Sequence, residues 1–284
     1  MNNLFWRIYH GDCRQVLKVN ELYEKVDCIV TSPPYWNRRS YSDQKKRDGN
    51  IGEWQYSSRK RSVPYEIGIN CSYESYIRDL YQVLEMCYYV LKENKFLFIN
   101  IGNKHEDKEL VDYSSNIIDQ AKKVGFTHCD TIIWIKTNSQ PPGRYKNLYL
   151  GSGWEYILMF AKGKKYTLNS EGYLHTQGHF KCSSCGASND IQLNSNPNYM
   201  YAHIGCYGNK NKYHSHPAPF PTQVPKFCMS FTTEKNDIVL DPFAGSGTTL
   251  RAALEIGRNA IGCELMDIIF NDLKQNMKRF SIEQ

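Results

Sequence analysis

The sequence contains no long hydrophobic run. No stretch of about 18 uninterrupted apolar residues occurs in the 284-residue chain, which excludes a helical membrane span. The first residues, MNNLFWRIYHGD, lack the cationic and apolar regions of a secretory signal, so we expect a cytoplasmic protein. The ten cysteines are therefore expected to be reduced thiols, and a CxxC pair to hold metal rather than form a disulfide.

The glycine-rich stretch IVLDPFAGSGTT (238–249) lacks two features of common phosphate-binding turns. No lysine follows Gly245 and Gly247, so the stretch is not a Walker A loop, and the third glycine of the dinucleotide fingerprint is absent. Glu264 lies nineteen residues beyond Gly245, at the end of the next predicted strand, where a carboxylate binds ribose hydroxyls. The pattern predicts a nucleoside ligand without a pyrophosphate, of which S-adenosylmethionine is the commonest. The alternative is an ordinary tight turn with a surface glutamate.

Hydrophobic patterns predict strands that alternate with helices. Buried strands are predicted at 27–30, 95–102, 131–136, 154–162, 237–240 and 259–265. Helices are predicted at 72–91 with Ser72 as N-cap, from 117 to 124 before Gly125, at 222–231, at 248–256 and from about 267. This alternation predicts the α/β class, with a doubly wound and mostly parallel sheet of Rossmann-like methyltransferase type.

The net charge of +6 is concentrated in two segments of irregular pattern. Residues 37–70 carry eight Lys or Arg against four acids, and residues 163–215 carry five against two. Tyr, Trp and Asn are interspersed with these charges, which predicts surfaces that contact a polyanion. The alternative is two solvated loops that are basic by chance.

Two motifs in a defined order carry a resemblance to a known family. TSPPYW (31–36) lies upstream of DPFAGSGTT, and the chain thereby resembles the β group of DNA amino-methyltransferases, which in prokaryotes belong to restriction-modification systems. The resemblance covers nearly the whole chain. It implies a catalytic half at 1–162 with a basic insert at 37–70, a target-recognition insertion at 163–215, and a cofactor-binding half at 216–284.

The resemblance also implies where the cofactor binds. HGDC (10–13) resembles the N-terminal acidic element of the family, which places Asp12 near the adenine of S-adenosylmethionine, and HPAPFP (216–221) resembles the motif that lines the methionine end. The residues expected to contact the cofactor are Asp12, Phe220, Asp241, Phe243, Gly245, Ser246, Gly247, Thr248 and Glu264.

TSPPYW has the chemistry that transfer to an exocyclic amino group requires. The lone pair of such a nitrogen is delocalised into the base, so a catalyst has to favour a more tetrahedral nitrogen. Ser32 Oγ and the Pro33 carbonyl can accept hydrogen bonds from its two hydrogens, and Pro33 and Pro34 hold that carbonyl in place. Tyr35 offers a face for a base swung out of double-stranded DNA. The alternative is a proline-rich strand end with a packing aromatic residue.

The choice of base follows from Ser32 only through the resemblance. The family tends to use Ser in this motif for cytosine N4 and Asp for adenine N6, so cytosine N4 is expected, with adenine N6 as the alternative. An inactive relative that binds nucleic acid is a third hypothesis. A restriction endonuclease that acts on the same site is a further expected partner.

A cysteine-containing segment predicts a structural zinc site. CSSCG (182–186) is a CxxC knuckle, and HIGC (203–206) follows at the spacing of Cys₃His zinc ribbons, so the predicted ligands are Cys182, Cys185, His203 and Cys206. His179, His214 and His216 are rival fourth ligands. The alternative is unrelated thiols in a loop.

Overall fold

Eight strands form one central sheet with helices on both faces. The computed structural model describes residues 4–19, 22–36, 66–69, 71–106, 108–137, 153–172, 178–181, 188–191, 198–202 and 220–280. The strands are β1 Trp6–His10, β2 Val26–Thr31, β3 Leu91–Ile101, β4 Lys104–Glu106, β5 Glu109–Val111, β6 Phe126–Lys136, β7 Trp154–Lys162, β8 Gly178–Lys181, β9 Ser188–Ile191, β10 Tyr199–Ala202, β11 Ile238–Asp241 and β12 Asn259–Glu264. The helices are α1 Cys13–Val19, α2 Tyr73–Val90, α3 Tyr113–Val124, α4 Gln223–Ser230, α5 Thr248–Glu255 and α6 Asp267–Met277.

The order of the central sheet is β1-β12-β11-β2-β3-β7-β6-β10. Among its described strands, β7 alone runs antiparallel to its neighbours, and every other pair is parallel. The chain moves from β2 through β3 toward one edge and later builds β11 and β12 on the other side. The two halves therefore meet between β2 and β11, and the predicted doubly wound, mostly parallel sheet is confirmed.

Each face of the sheet carries its own hydrophobic core. One core includes Phe96, Phe98 and Trp134 from the sheet and packs against residues of α4, α5 and α6. The other includes Ile29 and Leu97 and packs against α1, α2 and α3. β2 is buried along its whole length, as expected for a strand covered on both faces.

Several boundaries differ from the predicted ones. α3 begins at Tyr113 rather than 117, because Asp112 caps the helix by accepting a hydrogen bond from the Ser115 N–H at 3.2 Å. β3 begins at Leu91, directly after α2, rather than at 95. The sequence pattern does not predict α1 or the strands β1, β4, β5, β8 and β9.

The predicted insertion 163–215 is not wholly separate from the sheet. Within it β10 pairs in parallel with β6 over Tyr199–Ala202 and forms an edge of the central sheet. β8 and β9 form a separate antiparallel hairpin. Four residues in a stretch rich in Asn, Tyr and Ser give too short a pattern to predict a strand, and pairing with β6 supplies what the local sequence lacks. No helix among the described ranges is long and apolar enough to cross a membrane.

A buried acid joins the ends of the two strands at the centre of the sheet. Asp241 is 2% exposed and accepts hydrogen bonds from Thr31 Oγ1 at 2.7 Å and from the Phe243 N–H at 3.0 Å. Burial raises the pKa of Asp241 from its ordinary value to about 6, although these hydrogen bonds favour the charged form. The end of β2 is thus fixed to the end of β11.

We predict that Asp241→Asn destabilises the protein less at pH 7.5 than at pH 4.5. The pKa of Asp241 is higher in the folded chain, so its contribution to the free energy of unfolding is complete below about pH 4 and decreases as the pH rises through 6. Asn does not ionise, so the difference between the two proteins should shrink by on the order of 2 kcal/mol. Urea unfolding at both pH values measures the difference in the free energy of unfolding between the two proteins, with Val239→Ala in the same strand as the control. A difference that is constant with pH would contradict the prediction.

Candidate active site

The two motifs singled out in the sequence lie at neighbouring strand ends. TSPPYW continues from the carboxyl end of β2, and DPFAGSGTT from the carboxyl end of β11. β2 and β11 are adjacent and parallel, with Val239 opposite Cys28 and Leu240 opposite Ile29. Ligands of open α/β sheets bind in the crevice outside the carboxyl ends of the strands where the strand order reverses. Both motifs border that crevice.

The TSPPYW segment is held by hydrogen bonds from three surrounding elements. The hydroxyl of Tyr76 in α2 donates to the Pro34 carbonyl at 2.9 Å, and the hydroxyl of Tyr113 in α3 donates to the Trp36 carbonyl at 3.4 Å. The N–H of Gly102, just after β3, donates to the Tyr35 hydroxyl at 2.8 Å. The segment is therefore fixed along its backbone and at the tip of its tyrosine. Ser32 itself is half-buried, and Pro33 is buried.

An aromatic cluster lies behind this segment. The rings of Tyr35 and Tyr113 meet edge to face with centroids 5.9 Å apart, and Trp36 meets Tyr73 in the same way at 5.2 Å. Trp36 also donates its indole N–H to the Cys71 carbonyl at 2.8 Å. Edge-to-face pairs of this kind restrict the orientation of each ring. Trp36 therefore packs behind the segment.

The glycine turn after β11 is built for close approach of its backbone. Gly245 and Gly247 have φ of 50° and 79°, in the left-handed region that favours glycine. A Cβ on Gly247 would lie 2.4 Å from the Leu273 side chain of α6, so the turn packs directly on that helix. Gly247 is also the N-cap of α5, whose first amides have no partner within the helix.

Glu264 closes the turn from the neighbouring strand. It ends β12, is 9% exposed, and accepts hydrogen bonds from the Gly245 N–H at 3.0 Å and the Met266 N–H at 2.9 Å, one on each oxygen. Burial raises the pKa of Glu264, and the two backbone hydrogen bonds oppose that shift. A carboxylate has about four lone-pair sites, so about two remain for a ligand. Two ribose hydroxyls match that remaining capacity, and the residues fit a nucleoside cofactor.

Asp12 follows the carboxyl end of β1, at the same edge of the sheet as Glu264, and its carboxylate is already bonded to Arg14. It follows Gly11, whose N–H donates to the Glu264 carbonyl at 2.9 Å, so it is close to the ribose-binding candidate. Its carboxylate accepts from Arg14 Nε at 3.0 Å and Arg14 Nη2 at 2.6 Å, and Arg14 also reaches Asp79 at 3.0 Å. These bonds raise the pKa of Arg14, chiefly through the side-chain hydrogen bond with Asp12. Arg14 orients Asp12.

The remaining predicted cofactor residues surround the turn. Ser246 and Thr248 are buried in it, with their hydroxyls 3.3 Å apart, and Phe243 is half-buried on the side of α1–α3. Phe220 is half-buried and packs against the other core, just before α4. The structure therefore brings the β11 turn, Glu264 and TSPPYW to one crevice, while Phe220 packs on the α4 side of the sheet.

The predicted zinc ligands Cys182, Cys185, His203 and Cys206 lie outside the described residues, so the zinc site stays a prediction. Within the described ranges, no group of three or more His, Cys, Asp or Glu could hold a metal ion. Residues 37–65 of the basic insert likewise lie outside them. The described cysteines are free thiols, most of them buried, and burial raises the pKa of Cys28 and Cys87 to about 12.

Four residues of the site were not identified from the sequence. Tyr76, Tyr113 and Gly102 fix TSPPYW, and Arg14 fixes Asp12. Tyr76 falls in the helical pattern of α2, which predicts a core position, and its ring does lie in the core. No local signal shows that its hydroxyl reaches a carbonyl 42 residues away. Of the four, only Arg14 has a local signal, because Asp12 lies two residues before it in the sequence.

Comparisons with known proteins agree with this geometry. Residues 26–275 match the family described as DNA methylase. The chain is 28% identical to the type II methyltransferase M.MjaI of Methanocaldococcus jannaschii over 91% of this chain and 86% of that protein. It is 30% identical to the DNA adenine methyltransferase YhdJ of Escherichia coli K12 over 91% of this chain and 78% of that protein.

A similar solved structure comes from Thermus thermophilus. It is assigned as a DNA modification methylase and was solved in complex with S-adenosyl-L-methionine. The two chains are 25% identical, with a TM-score of 0.61, and the alignment covers 96% of this chain and 95% of that one. The family match alone extends over most of the sequence, from the start of β2 to within α6. The chain belongs to the N6/N4 DNA methylase family.

Proposed function

We propose that the protein transfers a methyl group from S-adenosylmethionine to the N4 amino group of cytosine, at a specific site in double-stranded DNA. The observation that carries this proposal is the meeting of TSPPYW and the glycine turn at the β2–β11 crevice, with Thr31 bonded to Asp241 at 2.7 Å. A base in reach of one motif is then also in reach of a cofactor bound at the other. S-adenosylmethionine, when bound, supplies a methyl group on an electrophilic sulfonium.

The residues of the chain supply positioning and acceptors. Gly245, Gly247 and Glu264 would hold the nucleoside part of the cofactor, with Phe220 at its methionine end. Ser32 Oγ and the Pro33 carbonyl would accept the hydrogens of the target amino group and so free its lone pair for attack. Tyr35 would stack on the flipped base, since chemistry on a paired base requires its removal from the duplex. Correct positioning of the two reactants accounts for much of such a rate enhancement.

Two observations bear on the choice of base. Ser32 in the motif favours cytosine N4 by resemblance. The relative YhdJ is named an adenine methyltransferase, and it favours adenine N6 as the second candidate. A restriction endonuclease that cuts the same site, and zinc in the 182–206 segment, remain predictions within this proposal.

We predict that DNA modified by the protein contains N4-methylcytosine. A randomised duplex library is incubated with S-adenosylmethionine, digested to nucleosides and analysed by mass spectrometry, and a second sample is sequenced to locate the mark. N6-methyladenine alone would overturn the cytosine assignment and support the second candidate. Absence of any methylated nucleoside over a range of salt concentrations would support an inactive relative, because phosphate contacts weaken as salt rises.

We predict that Ser32→Ala lowers the turnover number by on the order of 10², as the loss of one aligned hydrogen bond to a reacting group does. Affinity for S-adenosylmethionine should stay unchanged, because Ser32 follows β2 and the cofactor candidates follow β11 and end β12. Turnover is measured with labelled cofactor, and binding by calorimetry. Asp119→Ala, at an exposed position of α3, is the control. A loss of cofactor affinity in Ser32→Ala would assign Ser32 a structural role instead.

We predict that Glu264→Gln weakens binding of S-adenosylmethionine at least about tenfold, because charge-assisted hydrogen bonds to a ligand are worth more than neutral ones. The Gln amide also replaces one acceptor oxygen with a donor that faces backbone N–H groups. Calorimetric titration measures the dissociation constant, and Asp272→Asn on the exposed face of α6 is the control. Equal affinity in wild type and Glu264→Gln would exclude the ribose contact.

A further inference from the structure

Of the backbone torsions of Pro33 and Pro34 in TSPPYW, one is left unrestricted by the local sequence. The rings of Pro33 and Pro34 fix φ at both residues. The ψ of Pro33 is confined to the extended region because a proline follows it. The ψ of Pro34 has no such restriction, and it sets the plane of the Pro34–Tyr35 peptide. Together with φ and χ1 of Tyr35, it sets where the Tyr35 ring points.

Tyr76 contacts the carbonyl oxygen whose position this torsion sets. Its hydroxyl donates to the Pro34 carbonyl at 2.9 Å, and rotation about ψ of Pro34 would move that oxygen out of reach. Tyr76 itself has little freedom. Its side chain is fully buried, and its ring packs against Tyr73 and Tyr113 with centroids 6.1 and 6.0 Å apart.

Gly68 lies beside Tyr76 and against the next peptide, between Tyr35 and Trp36. Gly68 has φ of 83°, and a Cβ there would lie 3.2 Å from both the Tyr35 carbonyl oxygen and Tyr76 Cδ2. The far tip of Tyr35 accepts the Gly102 N–H at 2.8 Å. The tyrosine proposed to stack on the base is thus held at its peptide and at its hydroxyl, while Gly68 leaves room for both.

We propose that Tyr76 is a positioning residue for methyl transfer, whose hydrogen bond to Pro34 fixes the backbone torsion that orients Tyr35. The inference rests on the proposed function and deepens it. Tyr76 contacts neither the base nor the cofactor in this assignment. Its effect reaches the reaction through the orientation of Tyr35, which presents the flipped base to the methyl donor.

The test is Tyr76→Phe, which keeps the buried ring and removes only the hydroxyl. The turnover number on the unmethylated DNA site that the protein recognises should fall about tenfold. This is the effect expected when one hydrogen bond is lost from the transition-state geometry. The KM and dissociation constant for S-adenosylmethionine should not change. A duplex with 2-aminopurine in place of the target base reports stacking, because stacking quenches the fluorescence of this base. The fluorescence of the duplex bound to Tyr76→Phe should exceed that of the duplex bound to the wild-type protein. Tyr88→Phe, on the same helix with its ring against Phe126, is the matched control.

Four outcomes would overturn the inference. If Tyr76→Phe has the same turnover number and the same fluorescence as the wild-type protein, the hydroxyl is not needed. An equal loss in Tyr88→Phe, or a parallel loss of cofactor affinity, would show a general effect on folding. Wild-type protein that methylates no DNA would remove the proposed function and this inference with it, whereas an active wild type beside a fully active Tyr76→Phe removes the inference alone.

Discussion

β2 and β11 lie side by side although Thr31 and Asp241, which join their ends, are 210 residues apart in the chain. This pairing is the constraint on which the crevice depends. A strand buried on both faces tolerates little displacement, and all six residues of β2 are buried. TSPPYW therefore begins at a fixed place, and so does the glycine turn. The sheet unites in space two motifs that lie far apart in the sequence, and neither would have a fixed partner without it.

Beyond the strand ends, the two motifs are stabilised differently. The glycine turn is held by local backbone geometry and by Glu264, one strand away. TSPPYW has no helix or strand of its own past Thr31, and its position depends on hydroxyl and amide donors from α2, α3 and the end of β3. Regular structure satisfies its own hydrogen bonds, whereas an irregular segment has to obtain them from neighbours. That difference explains why aromatic residues with a polar tip surround TSPPYW.

The sequence alone predicted the parts of the molecule whose signal is local. Apolar runs predicted six of the eight strands of the central sheet, the Ser72 cap and Gly125 bounded two helices, and the glycine spacing with Glu264 located the candidate nucleoside site. Two features that it missed depend on distant partners: β10, a four-residue strand that β6 completes, and the Tyr76 hydroxyl, whose target lies on another element. Periodicity reports which side of a helix faces the core, and it carries no information about one polar atom within that core.

Asp241 shows why such a core contains a polar group at all. Burial raises its pKa to about 6, so at neutral pH the carboxylate is charged at some cost in stability. A residue with an apolar side chain at this position would avoid that cost. It could not accept from Thr31 and from the Phe243 N–H together, and these two donors lie at the starts of the two functional segments. A carboxylate here exchanges stability for a defined geometry at the crevice, as is usual where binding elements meet in a fold.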